Sequence, residues 1–249
     1  MELHNQKTKL ILVEPSGPLN IGSVARLCEN FGIKELRLVA PQCDVNNQDA
    51  RRMAVKGKKL LDRAKEYSCL IDAIEDCRRV IATSGRIDHG TIPLCTPEEA
   101  MKWSLSGSAE LPLALVFGRE DKGLTNQELL LAQKVLTIQT SSSYKSLNLS
   151  HAVAIVLNEL QRCKKEKFSN NVQKAKFHQE PAPPKQIKDC LDDAEALLLD
   201  VGFIYEHTAK ARMSKIKALL QRAEVQQKEI SLIRGILRQM RWAINNQTP

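Results

Sequence analysis

Leu113-Ala-Leu-Val-Phe-Gly-Arg-Glu-Asp-Lys-Gly-Leu-Thr-Asn-Gln-Glu128 runs from an unbroken apolar stretch into a glycine-bracketed cluster of charges and then into a capping box. Five apolar residues in a row are too few for a helix and suit a strand covered on both faces. Thr125, followed three residues later by Glu128, opens a helix. Strand, polar loop and helix make half of a βαβ unit, and the pattern recurs on either side. Residues 9–14 (KLILVE), 36–40, Arg79–Thr83 and 135–139 also read as strands. Helices are expected over 21–31, 58–67, 70–77, Pro97–Leu105 and 149–165, with Gly32 placed to close the first. Strands separated by helices imply an α/β domain built on a parallel sheet.

The character of the chain changes after residue 165. Residues 166–186 are polar and include Pro181, Pro183 and Pro184, as a linker does. Only helical periodicity follows. Ile187, Cys190, Leu191, Ala194, Leu197 and Leu198 share one face. Met213, Ile216, Leu219, Leu220 and Ala223 form a second stripe, and Ile230, Ile233, Leu237, Met240 and Ile244 a third. The expected organisation is an α/β domain over 1–165, a linker over 166–186 and a small helical extension over 187–249.

Charge separates the same two parts. The net charge is +8, yet residues 1–160 hold 20 Lys and Arg against 19 Asp and Glu, while residues 161–249 hold 17 against 10. An excess confined to one region points to a polyanion such as nucleic acid, or to a solvated lysine-rich helical surface. Aromatics make up 4% of the chain, too few for a stacking platform. No apolar run approaches the roughly 20 residues that span a bilayer. The polar start has no signal-peptide pattern, so a cytoplasmic location is expected. Seven cysteines without a C-x-x-C and five scattered histidines argue for reduced thiols and no metal site. The P-loop, the G-x-G-x-x-G turn and the G-x-S-x-G elbow are all missing.

Three loops at expected strand ends carry unusual polar and glycine density: Asn20-Ile-Gly-Ser-Val-Ala-Arg26, Phe117-Gly-Arg-Glu-Asp-Lys-Gly-Leu124 and Ser141-Ser-Ser-Tyr-Lys-Ser-Leu-Asn148. Each has a structural explanation. Gly22 suits close helix–strand packing, Arg119 and Glu120 a surface ion pair, and the serines a turn. Their shared position is where open α/β sheets bind ligands.

In order and spacing these loops resemble the three motifs of the SPOUT RNA 2′-O-methyltransferases. Leu12-Val-Glu-Pro15 with Asn20–Arg26 and Gly32 is similar to the first motif. Val116-Phe-Gly-Arg-Glu120 with Gly123-Leu-Thr-Asn126 is similar to the second, and Ser146-Leu-Asn-Leu-Ser150 to the third. The likeness covers about residues 8–163. Within the superfamily the chain looks like the TrmJ branch. Gly202-Phe-Ile204, Met213-Ser-Lys-Ile216 and Leu232-Ile-Arg-Gly-Ile-Leu237 are similar to that branch's helical extension.

The resemblance implies a parallel sheet with a deep C-terminal trefoil knot, S-adenosylmethionine as cofactor, a homodimer, and 2′-O-ribose methylation of tRNA. In this branch the target is nucleotide 32 of the anticodon loop. An rRNA substrate, or a non-catalytic RNA-binding protein on the same scaffold, are the alternatives. Thr83, Ser84, Gly85, Gly118, Ile138, Ser146, Leu147 and Asn148 are then expected to line the cofactor pocket. Arg26 matches the catalytic arginine. Because a guanidinium is effectively always protonated, it is expected to bind phosphate and stabilise a developing alkoxide rather than act as a base. Asn20, Arg119, Glu120, Ser146 and Asn148 are expected to orient substrate and this arginine. Tyr144 reads equally as a substrate contact or as turn filler.

Overall fold

The computed structural model describes residues 7–85, 92–107, 111–141, 146–169 and 181–246. Its first strand, β1 (Thr8–Val13), is buried at every position. Alternate residues therefore serve opposite faces. Leu10 and Leu12 enter one apolar core and Ile11 and Val13 the other. The chain continues through α1 (Pro18–Asn30), β2 (Glu35–Val39), α2 (Gln48–Ala54), a 3₁₀ turn (Val55–Gly57), α3 (Lys58–Asp62), β3 (Lys65–Tyr67) and α4 (Leu70–Ile74). Then come β4 (Arg79–Thr83), β5 (Leu94–Cys95), α5 (Pro97–Leu105), β6 (Leu113–Phe117), α6 (Asn126–Leu129), β7 (Lys134–Leu136) and α7 (Leu149–Ser169). The strands form one parallel sheet in the order β3-β2-β1-β6-β4-β7-β5. The α/β class expected from the sequence is what the chain adopts.

Several elements depart from expectation, among them α7 and α8, which run to Ser169 and from Pro184 and so shorten the expected linker of 166–186. Residues 58–67 are not one helix, because α3 ends at Asp62 and 65–67 form β3, paired with β2. Arg63 and Ala64 turn the chain by donating to Leu60 and Leu61 carbonyls. Pairing along the free edge of β2 outweighs the local helical preference. Helix α2 opens where the Asn47 side chain accepts from the Asp49 amide at 2.8 Å, a cap inside a stretch that reads as loop. The two-residue β5 is too short to register as a pattern. Of the segments that a C-terminal trefoil knot would involve, residues 86–91 and 142–145 lie outside the described residues.

After Pro181 the chain forms α8 (Pro184–Asp200), α9 (Glu206–Arg222) and α10 (Gln227–Asn245). They pack around two small cores centred on Cys190 with Ile230 and on Leu191 with Met213. Ala218 of α9 packs into the second apolar core of the α/β part, and polar contacts add to it. Gln221 donates to the Leu129 and Ala132 carbonyls (3.2 and 2.6 Å), Gln133 to the Ala182 carbonyl (3.2 Å), and Trp103 Nε1 to Glu224 (2.8 Å). No helix among the described residues is long and apolar enough to cross a membrane.

Among the described residues, Lys9, Arg37 and Arg79 are charged side chains buried on the strands. Arg37 on β2 is 2% exposed. It bonds Asp76 (2.7 and 2.9 Å), Glu35 (2.8 and 2.6 Å) and the Ala73 carbonyl (2.6 Å), and Lys9 also reaches Asp76. Arg37→Leu leaves Asp76 facing Lys9 and Glu35 facing Lys9 and Lys65. The expected loss is about 3 kcal/mol, the low end for breaking a buried pair, because both carboxylates keep access to water. Urea unfolding at pH 7 measures it, and a loss under about 1 kcal/mol would contradict a structural role.

Candidate active site

Strands β1, β6, β4 and β7 are adjacent and parallel, so the loops leaving them gather at one edge of the sheet. The loop after β6 is shaped by two glycines. A Cβ on Gly118 would lie 2.4 Å from both the Gly123 carbonyl carbon and the Leu124 nitrogen, and Gly123 has φ +67°. Only a residue without a side chain admits that approach, and only glycine adopts that φ cheaply. The loop folds back with the Gly123 amide on the Arg119 carbonyl at 3.0 Å.

Arg119 points into this loop's base. Its guanidinium bonds Glu14 (2.7 Å from Nε), Glu128 (2.9 and 3.0 Å) and the Gly123 carbonyl (3.2 Å). Its side chain is 10% exposed. The hydrogen bonds it donates to Glu14 and Glu128 hold it firmly charged, and Arg119 in turn holds the Glu14 carboxyl below its ordinary value. Glu14 takes a left-handed φ of 46°, a conformation that disfavours side chains. Arg119 therefore ties the ends of β1 and α6 to the loop after β6, and its donors are spent within the protein.

Its neighbour Glu120 turns the other way. It accepts from the Ser16 amide (3.1 Å) and hydroxyl (3.2 Å), the Gly17 amide (3.0 Å) and Asn20 Nδ2 (3.1 Å). Burial pushes its carboxyl up, but these donors outweigh burial and hold it below the usual carboxylate value. Asn20 Oδ1 accepts from Asn148 Nδ2 at 2.9 Å. Asn148 Oδ1 accepts from the Ser150 amide (2.9 Å) and hydroxyl (2.7 Å), at the start of α7. Three loops, from three distant parts of the chain, are thus joined by Glu120, Asn20 and Asn148.

A cavity of about 780 Å³ opens beside this chain of bonds. Thr83, Ser84, Gly85, Gly118, Ile138, Ser146 and Leu147 all line it. Asn148 lies in an adjoining polar cleft with Asn20, Glu120, Thr140 and His151, and Ser146 and Leu147 border both. The cavity also takes in Phe117, Leu136, Asp121 and Lys122, which follow from the same strand ends. His151 follows from no motif. Tyr144 lies outside the described residues. Mostly apolar walls with a few polar groups at the rim, at this volume, suit a nucleoside-sized ligand.

Arg26 does not join this group within its own chain. It lies six residues beyond Asn20 on α1, about 9 Å along the axis and roughly a third of a turn around it. It is exposed and makes no hydrogen bond or ion pair among the described residues. Leu19, Ser23 and Arg26 follow at helical spacing along one outward face, with Leu19 55% exposed.

The lowered carboxyls of Glu14, Glu120 and Glu128 set an acid limit. Unfolded glutamates titrate near about 4.3, so the stabilisation is complete above about pH 5 and is lost as pH falls through the lower folded values. Melting temperature should hold down to about pH 5 and then fall. Glu120→Gln places an amide donor against existing donors and should cost about 1–3 kcal/mol at pH 7, with a shallower acid limb. Scanning calorimetry across pH measures both, and an identical acid limb in the variant would remove Glu120 from the account.

The model of the SpoU rRNA methylase family matches residues 7–158, and that of the tRNA methyltransferase TrmJ C-terminal domain matches residues 185–249. The tRNA (cytidine/uridine-2′-O-)-methyltransferase TrmJ of Citrobacter koseri is 33% identical, over 93% of this chain and 95% of that protein. The protein of that name from Salmonella typhimurium is also 33% identical, over 93% of this chain and 95% of its own length. The crystal structure of TrmJ from Z. mobilis superposes with a TM-score of 0.80 at 28% identity, covering 94% of this chain and 99% of that one. On the match of its α/β part and of its helical extension alike, the chain belongs to the SpoU methylase family, in its TrmJ branch.

Proposed function

We propose that this chain is an S-adenosylmethionine-dependent tRNA 2′-O-ribose methyltransferase that acts on the pyrimidine at position 32 of the anticodon loop, as a cytoplasmic homodimer. The observation that carries the reading is the hydrogen-bonded chain Glu120–Asn20–Asn148, set between a nucleoside-sized cavity and a polar cleft. The names of the full-length relatives give the substrate class and the reaction.

Bound S-adenosylmethionine supplies an electrophilic methyl group on a sulfonium. The residues present fit it: Leu136, Ile138 and Leu147 give apolar walls, while Thr83, Ser84 and Ser146 offer polar groups. The chain must bring a ribose 2′-hydroxyl into line and stabilise the charge that develops on its oxygen. Glu120 fixes the start of α1 and, through Asn20, the start of α7. Arg26 supplies a positive charge and a planar fork for the adjoining phosphate. Arg119 is a positioning residue in this scheme.

The dimer gives Arg26 a role that its own chain does not. Its exposed face on α1 carries Leu19. Met53, Val55 and Ile155 are exposed on α2, the 3₁₀ turn and α7, all packed against α1. Pairing these faces would bring Arg26 to a partner's cleft. Light scattering at micromolar concentration should give twice the chain mass, and Leu19→Asp with Ile155→Asp should give inactive monomers. A stable, fully active monomer would remove this part of the proposal.

Incubation with a tRNA pool, followed by mapping of ribose-methylated positions, should show modification at position 32. Arg26→Ala should lower the single-turnover rate about 10²- to 10³-fold, equivalent to about 3–4 kcal/mol, with cofactor affinity and folding unchanged. Arg26→Lys should recover part of the rate if point charge dominates and little if the fork does. A normal rate in Arg26→Ala at matched folded fraction would sink the catalytic assignment.

A further inference from the structure

Residues 51–63 carry Arg51, Arg52, Lys56, Lys58, Lys59 and Arg63 against a single acidic residue, Asp62. The near-neutral total of residues 1–160 conceals this cluster. Arg51 is tied to Asp62, and Arg52 lies 3.6 Å from Asp49. Lys56, Lys58, Lys59 and Arg63 are exposed and have no hydrogen bond or ion pair among the described residues.

Their place in the fold is fixed by two backbone features. A Cβ on Gly57 would lie 2.4 Å from the Ala25 carbonyl oxygen and 2.8 Å from the Arg26 nitrogen, so the 3₁₀ turn lies directly on the backbone of Arg26. Consecutive Cα atoms are about 3.8 Å apart, so Lys56 and Lys58 flank that contact on either side. The turn is entered through Val55, at φ 49° and ψ −108°. This is a genuine outlier for a β-branched residue, and the side chain is 49% exposed, so its own burial does little to offset it. The strained corner swings the chain from α2 onto α1 and places the backbone of Lys56 and Lys58 next to that of Ala25 and Arg26. Strain of this kind gathers where the backbone serves a site.

We infer that Lys56, Lys58, Lys59 and Arg63 form a phosphate-binding track that holds the RNA backbone beside Arg26, separately from the basic helical extension. The inference rests on the proposed RNA methyltransfer. Several unpaired cations along a turn and a short helix, none of them lining the cavity or the cleft described above, suit a repeating chain of phosphates rather than one small anion. Three of the four are lysines, which meet phosphates as point charges and tolerate variation in backbone path. A track beside Arg26 would set the target ribose against the cleft, while the helical extension grips a more distant part of the RNA.

The test uses the full chain with Lys56→Ala, Lys58→Ala and Lys59→Ala combined, and a second variant with arginine at all three positions. Fluorescence anisotropy with tRNA across salt concentrations gives the slope of log Kd against log salt. Each phosphate that the protein no longer neutralises should lower that slope by about 0.7–0.9, so the alanine variant should drop by about 2. Its KM for tRNA should rise about tenfold or more, with kcat at saturating tRNA within about twofold and S-adenosylmethionine affinity unchanged. The arginine variant should restore both slope and KM. Unchanged slope and KM in the alanine variant would overturn the track, leaving these lysines a solvated face. A wild-type chain that methylates no tRNA would overturn the functional reading instead, and the slopes would still decide the track.

Discussion

The Glu120 carboxylate draws the Ser16 and Gly17 amides and the Asn20 side chain onto the loop after β6, across about a hundred residues of sequence. That contact fixes where α1 begins. Because α1 is a rigid rod bearing Asn20 near its start and Arg26 two turns in, fixing its start also fixes where the arginine stands relative to the cleft. Glu120 can hold this position only because Gly118 allows the backbone to meet Gly123 and Leu124 at a distance closed to any side chain. Adjacent residues then divide the work. Arg119 clamps Glu14 and Glu128 from within, and Glu120 faces the entrance to α1.

How much of this the sequence carries depends on how local the cause is. The limits of β6 agree with its apolar run and the start of α6 with its capping box, because burial on both faces and a reciprocal side-chain cap each act within a few residues. β3 and β5 exist because an edge of another strand is there to receive them, and three or two residues hold no period that shows it. The cavity lining is legible through the resemblance of the three motifs, whose residues come together because strand ends in an open parallel sheet lie at one edge. The role of Arg119 is not. An arginine between a glycine and a glutamate reads alike whether it faces substrate or a carboxylate 105 positions away. His151 enters the cleft only because Asn148 starts α7 at that angle.

The helical extension joins the α/β part through the apolar packing of Ala218 and through side chains that meet carbonyls and one indole. Glu224, in a left-handed conformation just after α9, accepts from Trp103 and pairs with Lys134. Lys134 belongs to β7, the strand that leads to Ile138 in the cavity wall. The basic extension is thus anchored to the element that shapes one side of the pocket.

The register of β1 against β6, Thr8 with Leu113 through Leu12 with Phe117, has a consequence for how the chain comes into being. During synthesis β1 finds one neighbour early, in β2, and must wait about a hundred residues for the other. Until then its second edge is open, and closing so long a loop carries an entropic cost before any contact offsets it. The cleft is completed later still, when Asn148 reaches Asn20. A nascent chain therefore passes through most of its synthesis with a sheet half built and no site at all, a stretch in which an unpaired apolar strand edge is open to wrong partners.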